Sequence, residues 1–151
     1  MGDQPSSADK PGLHPTLALL REVNRDPEKG GLSIGEAAAL RRIDPTRPDA
    51  RHLLPLARLL ARAGLELMPG APEWDRAAVI VNAMALARGH HARQPSTGAG
   101  LHAIGLSEER LMALLTAEFE ELRDLLPRIA RRAAASAQPM DWAPLARLAW
   151  H

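Results

Sequence analysis

Three observations predict an all-α fold. Apolar residues make up 46% of the 151-residue chain, enough for a folded core. Much of that share is alanine and leucine, and aromatic side chains are scarce, with one Phe and no Tyr. Small and straight side chains lose little rotamer freedom in a helix, so this mixture favours helix over sheet. The apolar residues also recur at helical spacing between Ser, Asp, Gly and Pro punctuation. The length suffices for one moderate core or two small helical lobes joined by a short linker, and the punctuation divides the chain as follows. Residues 1–12 form a flexible leader, 13–93 an N-terminal helical lobe, 94–105 the linker and 106–151 a C-terminal helical lobe.

The leader, MGDQPSSADKPG, is polar and unlike a signal peptide. A first helix runs from Leu13 to Val23, with Leu13, Leu17 and Leu20 at helical spacing, and NRDPEKGG forms a turn or flexible connection. Ser33 opens a second helix, and Glu36 three residues on completes a capping box. Ala37, Leu40 and Ile43 supply its buried side, and Pro45 ends it. Pro48 and Asp49 announce a third helix, with Leu53, Leu56 and Leu60 on one face and Gly64 as its stop. Pro55 either follows a short turn or kinks that helix.

Trp74 to Arg88 is the clearest middle helix, with Val79, Ile80, Ala83, Met84 and Ala87 on its apolar side. HHARQPSTGAG loses the hydrophobic rhythm and is the best boundary candidate, either joining two helical lobes or forming a mobile loop within one domain. Ser107 then caps a helix whose first turn holds Glu108 and Glu109, favourable at the positive end. Leu111, Leu114, Leu115, Leu122, Leu125 and Ile129 form its stripe, and Pro127 is expected to kink or divide it. After ASAQPM, Asp141 caps a last helix in which Trp142, Leu145, Ala149 and Trp150 share a packing side.

Several chemistries are excluded or disfavoured. The chain has no cysteine, which removes disulfides, thiolate catalysis and cysteine-based zinc sites. No Gly-rich phosphate loop or HExxH motif is present. His90 and His91 are adjacent in a loop without a suitably spaced carboxylate, and His14, His52, His102 and His151 are dispersed. Ser107 serves better as a cap than as a nucleophile. No enzyme activity, metal or cofactor is expected. No apolar run approaches a membrane span, so a cytoplasmic protein without membrane contact is expected.

The charge is informative in its distribution. Formal net charge is +1, yet all basic side chains but Lys10 and Lys29 are arginine. Guanidinium groups match phosphate and carboxylate geometry, although a GC-rich genome produces the same bias. Arg41, Arg42, Arg47, Arg51, Arg58 and Arg62 face only Asp44 and Asp49 in that stretch, and Arg76, Arg88 and Arg93 follow in a segment without acids. Arg51, Arg58 and Arg62 fall along one broad helical face. A track of cations suits a nucleic-acid backbone, because each neutralised phosphate releases condensed counterions. A solvated amphipathic face fits the same pattern, as does a helical adaptor that docks proteins without nucleic acid. Arg128, Arg131 and Arg132 form a second cluster after an acidic run, an order that also suits the helix dipole. With so few aromatics no base-stacking platform is expected, and Trp74, Trp142 and Trp150 are read as core or interface anchors.

AALRR at Ala38–Arg42, ALARGHHA, GLSEERLMALLTA at Gly105–Ala117 and the terminal MDWAPLARLAWH occur in that order. With the Asp141, Trp142, Leu145, Trp150 ending and the Ser107–Arg110 opening, the chain from about Gly31 to His151 resembles the small-subunit (CasB) family of the type I-E CRISPR Cascade. The resemblance implies a non-catalytic, all-helical and elongated protein of two small helical lobes joined by a short linker, present as a pair. Its implied partners are the guide-RNA-coating backbone subunits, the large subunit, a second copy of itself, the guide RNA and the target DNA, especially the displaced strand. It assigns nucleic-acid contact to Arg41 and Arg42, to Arg110, to Arg128 with Arg131, and to Arg88 or Arg93. Two departures stand out. The connection through Gly100–Ile104 is short, and TAEFEELRD is acidic, which shifts the second half toward protein docking.

Overall fold

The computed structural model describes residues 14–45 and 50–151, with Arg51 described by its backbone alone. The leader expected at 1–12 and Arg47 lie outside the described residues. The fold is all-helical. Its helices are α1 (Pro15–Val23), α2 (Ile34–Arg41), α3 (Ala50–Arg62), α4 (Pro72–Leu86), α5 (Thr97–Ala103), α6 (Glu108–Leu115), α7 (Phe119–Ala135) and α8 (Ala143–Trp150). A single parallel bridge pairs His91 with Met140, and no strand occurs among the described residues.

Helix α4 organises the rest. Every residue from Ala77 to Ala85 is buried, not only the stripe expected from its spacing. A helix that is apolar all round has no face to give to water and must be enclosed. Helices α1, α2, α7 and α8 pack around it. α4 starts at Pro72, earlier than Trp74, because proline at the first helical position lacks only an amide that has no intrahelical partner anyway.

The buried side chains form one cluster that draws on both halves, from Leu19 and Leu40 to Leu126 and Trp142. The division expected at 94–105 is therefore not visible as a gap in the core. That segment also contains a helix, α5, which the Gly-rich composition concealed. Ser96 caps it by accepting from the Ala99 amide at 3.3 Å, and Leu101 is buried. The chain before it is stitched to the C-terminal part. The Ala92 amide donates to the Met140 carbonyl and the Met140 amide to the His90 carbonyl, each at 3.0 Å. The Asp141 amide donates to the Pro95 carbonyl at 3.2 Å, and the Thr97 hydroxyl donates to the Asp141 carbonyl.

The second half breaks in a different place from the one expected. Pro127 lies inside α7, and α6 ends instead at Thr116. The Thr116 hydroxyl donates back to the Met112 carbonyl at 2.9 Å, competing for an acceptor at the helix end. Burial of Leu122, Leu126, Ile129, Ala130 and Ala133 against α4 outweighs the hydrogen bond lost at Pro127. Pro55 is likewise accommodated inside α3. Gly64 adopts φ +76° after α3, the left-handed conformation expected of its stop. Asp141 stands one residue ahead of the N-cap, which is Trp142, yet its carboxylate accepts from the Ala143 amide at 3.0 Å.

Trp74 (4% exposed) and Trp142 (0%) are core residues, and Trp150 packs partly buried against the same cluster. A close approach joins α5 to the strip before α8. A Cβ added at Gly100 would lie 2.4 Å from the Met140 Cβ. Gly100→Ala is expected to destabilise the protein by about 1–3 kcal/mol through overpacking, read as a lower midpoint in urea unfolding.

Candidate nucleic-acid interface

Arg41 and Arg42 are held by fixing both ends of α2. At its start the capping box is complete: the Glu36 amide donates to the Ser33 hydroxyl oxygen at 3.1 Å, and the Ser33 amide donates to Glu36 Oε1 at 3.3 Å. At its end Asn82, fully buried in α4, donates from Nδ2 to the Leu40 carbonyl at 3.0 Å and the Arg41 carbonyl at 3.2 Å. Both carbonyls lie in the last turn of α2, where the Leu40 oxygen otherwise meets only backbone amides of the closing turn, such as Ile43 at 3.3 Å, so the side-chain amide helps to close the helix and anchors it to the core. The Arg41 and Arg42 side chains are left exposed.

Opposite them stands α7. Arg123, Pro127 and Arg131 recur every four residues and share a face, with Arg128 beside them. Arg41, Arg42, Arg123, Arg128 and Arg131 line one cleft of about 420 Å³ between the end of α2 and α7, together with Asp44 and Asp124. Five guanidinium groups against two carboxylates leave it net positive. The Arg123 Nε atom is buried and makes no hydrogen bond among the described residues.

The other predicted arginines go elsewhere. Arg58 and Arg62 are exposed on α3 and do not line this cleft. Arg62 donates to Glu36 at 3.1 Å. Arg88 is half-buried and reaches the Leu32 carbonyl at 3.4 Å, a tie between α4 and the approach to α2. Arg93 lines a separate cleft of about 690 Å³ beside Arg21, Arg25 and Lys29. Arg110 borders a groove between α6 and α7 with Arg128 and Arg132. Arg76 has a packing role, stacking over Phe119 at 4.7 Å and donating to the Ala149 carbonyl at 3.1 Å. Arg123 was not among the sequence candidates. Its four-residue spacing from Pro127 and eight-residue spacing from Arg131 was the available signal, masked by the acidic residues around it.

The Glu36 carboxyl is held below the usual carboxylate range, chiefly by the Ser33 backbone amide and further by Arg62, against the opposing effect of partial burial. Among the described residues no three His, Asp or Glu side chains are grouped to hold a metal ion, and no helix is long and apolar enough to cross a membrane.

Two outcomes test this geometry. Asn82→Asp keeps the shape but turns a double donor into an acceptor facing two carbonyl oxygens. It is expected to lower stability by at least about 1–3 kcal/mol in urea melts. For Glu36, the lowered pKa means that its charge contributes stability above the ordinary carboxylate pKa and loses it as pH falls through the lower folded value. The stabilities of native protein and Glu36→Gln are therefore expected to differ most near neutral pH and to converge on acidification.

A family model described as CRISPR-associated protein Cse2 matches residues 36–151. No curated protein and no solved structure gives a significant match. The matched span contains α3 to α8, nearly all of α2 and every arginine of the α2–α7 cleft.

Proposed function

The chain belongs to the CRISPR-associated Cse2 family, and from that premise we propose that it is the non-catalytic small subunit of a type I-E Cascade, gripping nucleic-acid backbone in the α2–α7 cleft. It works in the cytoplasm beside the guide-RNA-coating subunits, the large subunit and a second copy of itself. The observation that carries the mechanism is the convergence of Arg41, Arg42, Arg128 and Arg131, far apart in sequence, on one net-positive cleft joined by Arg123.

The cleft has the means to hold phosphates and lacks the means to read bases. Its lining is arginine, aspartate, proline and isoleucine, without an aromatic surface for stacking. Phosphate contacts fix position and carry no sequence information. Such a cleft suits a complex in which guide–target pairing reads the sequence and the displaced strand re-anneals unless something retains it. Each arginine placed on a phosphate lowers the free energy of the open state, and the sum is salt-sensitive.

Replacing Arg41, Arg42, Arg128 and Arg131 together with glutamine tests this. All four side chains are exposed, so helical content and melting are expected to change little. In the assembled complex the open DNA state is expected to shorten in lifetime. The slope of log affinity against log salt is expected to become shallower by about 3, the value for four lost phosphate contacts. An unchanged slope and lifetime would favour the protein-docking adaptor and remove nucleic acid from this cleft.

A further inference from the structure

A second basic cleft lies apart from the first. It forms where α1 and the turn after it meet the strip following α4 and the start of α8, and its volume is about 690 Å³. Arg21, Arg25 and Lys29 come to it from the first segment, His91 and Arg93 from the second, and Asp141 is the single carboxylate in its lining. It shares no lining residue with the α2–α7 cleft. Arg21, Arg25 and Lys29 also precede the span that the family model matches, so part of this surface lies outside that match.

Both segments are fixed by the chain's own hydrogen bonds. In the turn, the Lys29 and Gly31 amides both donate to the Asp26 carbonyl at 2.9 Å, and a Cβ at Gly31 would collide with the Arg25 carbonyl oxygen. Across the cleft, the Ala92 amide donates to the Met140 carbonyl at 3.0 Å. His91 Nδ1 accepts from the Trp142 amide at 3.3 Å, which leaves the proton of the neutral ring on Nε2. The nearby acids are engaged. Buried Glu22 holds Arg25 at 2.6 Å, and the Asp141 carboxylate accepts from the Ala143 amide at 3.0 Å. Arg21, Lys29 and Arg93 are exposed and form no ion pair among the described residues. Three cations held around one opening repel each other, and a polyanion offsets that repulsion.

We infer that the α1–α8 cleft binds the phosphodiester backbone of a second nucleic-acid strand, separate from the one assigned to the α2–α7 cleft. Arg21, Lys29 and Arg93 meet its phosphates, while Arg25 stays with Glu22. No Phe, Tyr or Trp lines the cleft, so the bases are not stacked there. A strand carries a charge at every nucleotide and finds these cations in any register, whereas a peptide has to place carboxylates opposite each of them. The inference rests on the proposed function only in taking nucleic acid as the polyanion.

The test titrates the full chain with hexathymidylate at low salt, followed by calorimetry. Replacing Arg41, Arg42, Arg128 and Arg131 with glutamine isolates the α1–α8 cleft. That variant is expected to take up one hexamer per chain, with a slope of log affinity against log salt of about −2, the value for three phosphate contacts on a single strand. Adding Arg21→Gln, Lys29→Gln and Arg93→Gln is expected to abolish the uptake. Arg25 is kept, because its loss leaves the buried Glu22 carboxylate unpaired. The three positions are exposed, so melting is expected to hold. A methylphosphonate hexamer, which keeps the bases and lacks the backbone charge, is expected not to bind. Uptake that survives the three added substitutions overturns the inference, as does equal binding of the uncharged hexamer. No uptake by the isolating variant overturns it and leaves the α2–α7 reading intact. Native-like uptake by the isolating variant that disappears with the three added substitutions supports this cleft and overturns the α2–α7 one. Loss of the Arg21, Lys29 and Arg93 variant from the assembled complex, with hexamer uptake unchanged, assigns the cleft to an acidic protein segment and overturns the inference.

Discussion

The buried Asn82 side chain is the interaction on which the functional geometry depends. It sits in the Ala77–Ala85 stretch of α4, which is buried on every side and where an amide without partners is costly. Its two bonds to the Leu40 and Arg41 carbonyls join the core to the last turn of α2. The end of that turn fixes where Arg41 and Arg42 leave the helix. The same α4 packs against α7 along much of its length, so one helix sets the position of both walls of the arginine cleft. The cleft is thus a consequence of core packing, and its charges need no contact with one another.

The arginines divide by what their guanidinium groups meet. Arg76 stacks on Phe119 and caps the end of α8, Arg88 holds the Leu32 carbonyl, and Arg62 meets Glu36. These are packing and pairing roles, and they account for part of the arginine excess without any ligand. Arg41, Arg42, Arg128 and Arg131 are exposed and brought together instead. Bringing like charges together opposes folding unless a polyanion compensates, which makes their convergence more informative than their number.

The α6–α7 groove adds a second kind of surface next to the first. Arg128 stands between an apolar groove and a charged cleft. The acidic stretch from Glu118 to Asp124 precedes these arginines along α7, and only Asp124 of that run reaches the cleft.

The helical class, the capping box at Ser33 and Glu36, the cap at Ser107 and the left-handed stop at Gly64 follow from local chemistry. A serine hydroxyl within reach of an amide three residues on acts the same way in most folds. The family was legible too, because its motifs keep their order along the chain. Other features were decided by packing. Helix α5 forms where glycine argues against it, since Gly100 must lie against Met140. Pro127 remains helical because α4 needs the residues on both sides of it. Arg58 and Arg62 stay outside the cleft that Arg41 and Arg42 line, since α2 and α3 are different helices and spacing carries no direction from one to the next. The sequence by itself determined the helical class, most of the helical segments and most of the arginine candidates; the tertiary structure decided that 97–103 is helical too, that Arg123 joins the set and which arginines share a cleft. Helical periodicity is a property of neighbours in the chain, and the meeting of residues 41 and 131 depends on how a solvent-free helix is surrounded.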